Sequence, residues 1–291
     1  MGVNGRLRRP QRLQILSIRS INECKTTMES STSGTTDRST AACILLGVRL
    51  GEESLLVLTR EALAAVDSNR TQVVFVCANP HSLSVAQTDI RFREALSQAE
   101  HVVADGVGIT LMARLARVRC GPRITGHDYF YALLNALQQR GQGRIFFFGS
   151  SQRVLDLIVE RFRHEFPALT LCGIHSPPFG AWSEDENTRM IRLINDAQPD
   201  VLWVGMTAPK QETWVQTNRK RLRVPVIGSI GAVFDFYAGT HPRSPRWICR
   251  LGLEWVYRLV REPRRMWRRN FVSAPKFIGL IVWRHILGFS K

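Results

Sequence analysis

The chain has 291 residues, 44% of them hydrophobic, enough to bury one sizeable core. No apolar run approaches the roughly 20 residues of a membrane-crossing helix, the basic N-terminus lacks the h-region and cleavage site of a signal peptide, and six scattered cysteines without a C-x-x-C pair read as reduced thiols of a cytosolic protein. The net charge of +16 is uneven: residues 1–40 carry seven Lys/Arg against three acids, residues 243–291 carry twelve against two, and the body between them is nearly neutral, so one part of the molecule is built to meet a polyanionic surface.

Residues 1–40, rich in Arg, Ser and Thr, read as a disordered extension. From Cys43 onward, apolar runs at 43–50, 72–77, 101–104, 144–148, 169–173, 201–204 and 224–228 have the length and composition of strands. Pro225 falls near the start of the last run, where a strand tolerates it. Helical periodicity fills the intervals at 82–99, 126–139, 151–166, 183–197 and 210–221. Short buried strands alternating with amphipathic helices predict an α/β domain over 41–242, Rossmann-like, with a largely parallel sheet and helices on both faces. Ligands of such sheets sit beyond the C-terminal strand ends.

At Pro242 the composition changes, and 243–291 read as a basic amphipathic appendage. Arg246, Arg250, Glu254, Arg258 and Arg261 alternate with an apolar face of Trp247, Ile248, Leu251, Trp255, Val256 and Leu259. Pro263 ends or kinks this helix, Arg264, Arg265, Arg268 and Arg269 follow, and a second apolar segment spans 277–289. Trp and Leu opposite Arg suit the headgroup boundary of an anionic membrane. The competing reading packs the apolar face on the domain and leaves the arginines in solvent, and both can hold in part.

Four strand-end loops carry candidate chemistry. Cys77-Ala78-Asn79-Pro80-His81-Ser82 offers an amide at a helix start, or is an ordinary capped turn. Ala104-Asp105-Gly106-Val107-Gly108 sets a carboxylate just past a strand, suited to a general base or to a helix cap, with glycines that let a ligand approach. Arg123-Ile124-Thr125-Gly126-His127-Asp128 joins an arginine to a helix N-terminus, which suits a phosphate or is a capped start. Gly205-Met206-Thr207-Ala208-Pro209-Lys210-Gln211-Glu212 packs three polar side chains into one first turn, more than capping requires. Gly228-Ser229-Ile230-Gly231-Ala232-Val233-Phe234-Asp235 is a further Gly-rich turn. No Asp-x-Asp, metal-spaced His/Cys cluster, Walker loop or Gly-x-Ser-x-Gly occurs. The candidate site is therefore metal-independent and needs no cofactor, built from Asp, Asn, Gln, Arg and backbone amides.

These loops, in this order, resemble the WecG/TagA/CpsF glycosyltransferase family from about residue 45 to residue 270. The tail contributes Gly239-Thr240-His241-Pro242-Arg243-Ser244-Pro245, Leu253-Glu254-Trp255-Val256-Tyr257-Arg258-Leu259 and Glu262-Pro263-Arg264-Arg265. The resemblance implies inverting, metal-independent transfer from a UDP-sugar to an undecaprenyl-diphosphate-linked saccharide in cell-surface polysaccharide synthesis, by a cytoplasmic protein peripheral to the inner membrane face. It makes Asp105 the catalytic base. Asn79 and Gln211 fall at sugar-holding positions. Arg258, Arg265 and Arg268 fall at tail positions that close over the diphosphates, where arginine forks fit well. Cys77, His81, Arg123, Gly126, Asp128, Lys210, Glu212 and Arg243 complete the substrate-binding set. Cys77 stands where the family often has Thr, and a thiol is the poorer hydrogen-bond partner; Ser244 stands where it usually has Ala.

Other classes fit less well. A basic nucleic-acid-binding α/β protein accounts for the charge, but the body has no helix-turn-helix or basic–aromatic reading surface. A Rossmann oxidoreductase would need G-x-G-x-x-G after a strand, which is missing, so no nucleic-acid partner is expected. An oligomer that buries the tail would dissociate on lipid.

Overall fold

The computed structural model describes residues 43–68, 71–241, 244–245, 248, 254–261, 267 and 269–283. The expected extension over 1–40 lies outside these. Strands β3 (Val73–Ala78), β4 (His101–Ala104), β5 (Arg144–Gly149), β6 (Thr170–His175), β7 (Val201–Gly205) and β8 (Val226–Ser229) form one six-stranded sheet in the order β4-β3-β8-β7-β5-β6. Every pairing in it is parallel, as the near-continuous apolar strands predicted. The first run differs. Residues 43–50 turn back at Leu46 and Gly47, both at positive φ, into a separate antiparallel hairpin of β1 (Cys43–Leu45) and β2 (Val48–Leu50), because two residues in left-handed conformations close a tight hairpin.

The helices divide between the two faces. On one lie α2 (Pro80–Val85), α3 (Ile90–Ser97), α4 (Val107–Leu115), α7 (Glu184–Asp196) and α8 (Lys210–Asn218), packed through Leu83, Phe92, Met112, Ile194 and Trp214 onto Val76, Phe148, Val204 and Ile227. On the other lie α1 (Leu55–Ser68), α5 (Gly126–Arg140), α6 (Gln152–Glu165) and α9 (Val233–Ala238), packed through Leu58, Phe130, Ile158 and Phe234 onto Phe75, Phe147, Trp203 and Val226. The predicted helix over 82–99 is two helices, because Asp89 Oδ1 accepts from Phe92 N–H at 2.9 Å and starts a new one. Exposed Leu56 and Val57 blur the apolar stripe of α1 and hide its period.

The expectation of reduced cysteines fails at one pair. Cys43 and Cys120, 77 residues apart, form a disulfide with Cα atoms 5.0 Å apart. The pairing depends on the fold, which lays the loop after α4 against the β1–β2 hairpin, so spacing in sequence carried no sign of it.

In the tail, α10 (Glu254–Arg261) falls inside the predicted amphipathic helix, and α11 (Ala274–Ile281) follows a π-type turn, Arg269–Ser273. Phe277 and Ile281 are buried in the core cluster of the first face, and burying one such side chain contributes about 1.5–3 kcal/mol. Phe271, Val272, Ile278 and Trp283 stay exposed. Part of the tail is therefore packed on the domain, as the competing reading expected, while other apolar side chains of the same segment remain uncovered.

Gly228 stands beside Trp203 in the β7–β8 register, and a Cβ there would strike the Trp203 ring. That ring is fully buried under Tyr129 and Phe130 and cannot retreat without moving α5. Gly228→Ala is expected to cost about 1–3 kcal/mol, read as a lower urea midpoint at unchanged slope; an unchanged midpoint would contradict this packing.

Candidate functional site

The chain leaving β3 passes to the first face and the chain leaving β8 to the second, although the two strands are neighbours. Diverging connections open a crevice at the C-terminal strand edge, the usual ligand position of such sheets. Three of the four predicted loops open directly at this edge, and the fourth, at the start of α5, is packed against it.

From β3, Cys77 lies at the crevice floor, and Asn79 caps α2, its Oδ1 accepting from His81 N–H at 3.0 Å and Ser82 N–H at 3.1 Å. His81 Nδ1 lies 2.8 Å from Ser273 Oγ, so this loop also holds the tail. Asp105 follows β4 immediately, anchored by its N–H to the Ala78 carbonyl at 2.7 Å. Gly126 opens α5 so close to Cys77 that an added Cβ would sit 3.3 Å from Sγ. Asp128 Oδ2 accepts from Thr125 N–H at 3.0 Å and Oγ1 at 2.7 Å, a capping box that uses this oxygen locally. Arg123 is half-buried just before that box.

From β7, the first turn of α8 brings Lys210, Gln211 and Glu212. Its position is fixed by a buried amide relay: Trp214 Nε1 donates to Asn187 Oδ1 and Asn187 Nδ2 to Asn218 Oδ1, both at 2.8 Å. Lys210 turns aside, Nζ donating to the Gly180 carbonyl at 2.7 Å and lying 3.7 Å over the Trp182 ring. Gln211 and Glu212 are buried at 5% and 3% exposure, which separates them from an ordinary solvated first turn. Gln211 Oε1 accepts from Met206 N–H at 3.2 Å, and its Nε2 donates to Glu212 Oε1 at 2.7 Å.

The electrostatics follow from this crowding. Burial pushes the Cys77 thiol well above its ordinary value, the carboxylates of Asp105, Glu212 and Asp128 push it further, and the Gly126 N–H opposes them. Burial also raises Glu212 to about 7 against the pull of the Gln211 hydrogen bond. Asp105, Asp128 and Glu212 thus share one electrostatic neighbourhood around Cys77. Arg258 lies in α10, and Arg243, Arg265 and Arg268 lie outside the described residues.

A cavity of about 440 Å³ adjoins the crevice between the ends of β5, β7 and β8, lined by Ser150, Trp182, Met206, Lys210, Gly231 and Asp235 among others. Sequence reasoning named Lys210, Met206 and the Gly228–Asp235 turn but passed over the loop after β5 and the one after β6. The available signals were Gly149-Ser150-Ser151 closing a strand, with Ser150 at φ 57°, and the apolar Pro177-Pro178-Phe179, with Phe179 fully in solvent. A larger groove of about 680 Å³ lies at the opposite, N-terminal strand edge. There Arg144 is already engaged by the Ala197 and Gln198 carbonyls at 2.8 and 2.9 Å, and no diverging connections open, so the C-terminal cavity is the better site.

Among known proteins, the chain is similar to two enzymes named N-acetylglucosaminyldiphosphoundecaprenol N-acetyl-beta-D-mannosaminyltransferase from Bacillus. With that of Bacillus spizizenii it shares 30% identity over 75% of this chain and 81% of the relative. With that of Bacillus subtilis it shares 31% over 70% and 77%. A Staphylococcus aureus protein of the same name is 25% identical over 82% of this chain and 91% of its own length. The model of the WecG/TagA/CpsF glycosyl transferase family matches residues 43–290, and the chain belongs to that glycosyltransferase family.

Proposed function

We propose that this glycosyltransferase moves a sugar from a UDP-sugar to an undecaprenyl-diphosphate-linked saccharide, with inversion and without a metal ion. The observation that carries the reading is Asp105, one residue past β4, tied to Ala78 next to Asn79 and acting with Asp128 and the buried Glu212 on the Cys77 thiol. The Asp105 carboxylate takes the proton of an acceptor hydroxyl. That oxygen attacks the anomeric carbon on the face opposite the diphosphate, the bond from carbon to diphosphate oxygen breaks, and UDP leaves with the electron pair. The adjoining cavity accommodates the nucleotide, with Lys210 and Asp235 in its wall. The charge that builds up on the departing diphosphate needs cations, a role we give to Arg258, Arg265 and Arg268. Arg123 and the α5 N-terminus are suited to the acceptor diphosphate.

No helix among the described residues is long and apolar enough to cross a membrane. We place the catalytic domain in residues 41–242 and assign 243–291 to an anionic membrane surface at the inner leaflet. Exposed Trp255, Val260, Trp267 and Phe271 beside the tail arginines support that assignment.

The names of the relatives recommend UDP-N-acetylmannosamine as first donor and N-acetylglucosaminyl-diphospho-lipid as first acceptor, with the uronic acid, glucose and glucuronic acid donors tested beside it because Cys77 replaces a hydroxyl. Acceptor-dependent UDP release is expected to survive EDTA and to fall roughly a hundredfold or more in Asp105→Asn. Equal rates in the variant would remove Asp105 as base, and loss in EDTA would remove metal independence. The chain is also expected to sediment with phosphatidylglycerol vesicles but not with phosphatidylcholine vesicles, several-fold less in Trp267→Ala/Phe271→Ala; indifference to lipid charge would contradict the tail assignment.

A further inference from the structure

Glu212 is a buried carboxyl that the transfer chemistry above does not use. One oxygen, Oε1, accepts from Gln211 Nε2 at 2.7 Å; the other, Oε2, is buried and has no hydrogen-bond partner among the described residues. An ionised carboxylate there would leave one oxygen without a donor, a costly arrangement. No cation faces it. Across from it on β3 is the Cys77 thiol, and around that thiol stand Asp105 beyond β4 and Asp128 on α5, both acidic. On its own helix Lys210 is turned to the Gly180 carbonyl.

The Gln211 amide is held from three sides. Met206 N–H fixes Oε1, Glu212 fixes one N–H of Nε2, and Gly231, at φ 51°, backs the amide so closely that a Cβ would lie 3.5 Å from both amide heteroatoms. Met206 and Gly231 both line the donor cavity. This leaves one orientation of the amide, with a single N–H not taken by any described residue.

We infer that Glu212 is a positioning residue that works as a neutral carboxylic acid, locking the Gln211 amide so that its remaining N–H is presented to the sugar-nucleotide. The inference rests on the transfer reading above and adds to it a pH-dependent element. When Glu212 ionises, a negative charge appears behind the Gln211 amide at the edge of the cavity given to the anionic donor, so donor affinity falls. The stability consequence has a defined sign. The folded-state value, about 7, lies above the ordinary 4.5. The stabilising contribution of the neutral acid is complete below the ordinary value and is lost as pH rises through about 7.

The test compares wild type, Glu212→Gln and Glu212→Ala in UDP release and in thermal melts between about pH 6 and pH 8.5. In wild type, kcat/KM for the donor is expected to fall roughly tenfold across this range, chiefly through KM, and Tm to fall with it. In Glu212→Gln, where an amide oxygen still accepts from Gln211, kcat/KM at the acid end drops several-fold but no longer declines with pH, and Tm no longer follows this titration. Glu212→Ala, which frees the Gln211 amide, loses more activity than Glu212→Gln; if it does not fold, the Gln variant alone decides. Parallel pH profiles for wild type and Glu212→Gln, in a wild type that turns over, would overturn the role of Glu212 and leave the transfer reading standing. No turnover by wild type with any donor would overturn the transfer reading and this role with it.

Discussion

The structure depends on the parallel pairing of β3 with β8, strands whose paired residues Val73 and Val226 are far apart in the chain. This pairing seats the last strand in the middle of the sheet and makes neighbours of two strands whose connections diverge. The crevice follows from that divergence, and the loops around it inherit their places. Asp105 is tied back by its N–H to the Ala78 carbonyl, and Gly126 lies so close to Cys77, Val233 and Ile230 that an added Cβ would press on all three. Space in the sheet is apportioned in the same way, with Gly228 yielding to Trp203, Gly205 to Phe234 and Gly173 to Phe146.

A site assembled this way is crowded with acids while the substrates proposed for it are anions. Asp105 needs its charge to act as a base. Asp128 has one oxygen committed to a helix cap, and Glu212 is buried where ionisation is disfavoured. The body is nearly neutral and the excess of arginine is in the tail, which is why we look there for cations to meet the departing diphosphate. The contact from His81 to Ser273 and the burial of Phe277 and Ile281 attach the tail beside α2, while Phe271 and Trp283 stay exposed.

Much of this was legible in the sequence because it depends on local order. The strand runs at 101–104, 144–148 and 201–204 were visible as buried apolar segments, and the strand-end loops carried the polar residues that meet in the crevice. What was not legible depends on contacts between distant segments. The Cys43–Cys120 bond, the hairpin that detaches 43–50 from the main sheet, and the cavity between the loops after β5, β6 and β7 all arise from three-dimensional neighbourhood. The burial of Gln211 and Glu212 was signalled only as an excess of polar residues at a helix start, and the turn of Lys210 had no signal, since its partners, the Gly180 carbonyl and the Trp182 ring, come from a loop about 30 residues earlier.

The central claim, that the nucleotide binds in the cavity adjoining the crevice, between the ends of β5, β7 and β8, is tested most directly by hydrogen exchange of the full chain with and without UDP. The account predicts slowed exchange in residues 205–212 and 228–235, which border the crevice and its cavity. Slowing confined to residues 71–73, 144 and 198–200, at the opposite strand edge with its larger groove, would contradict it.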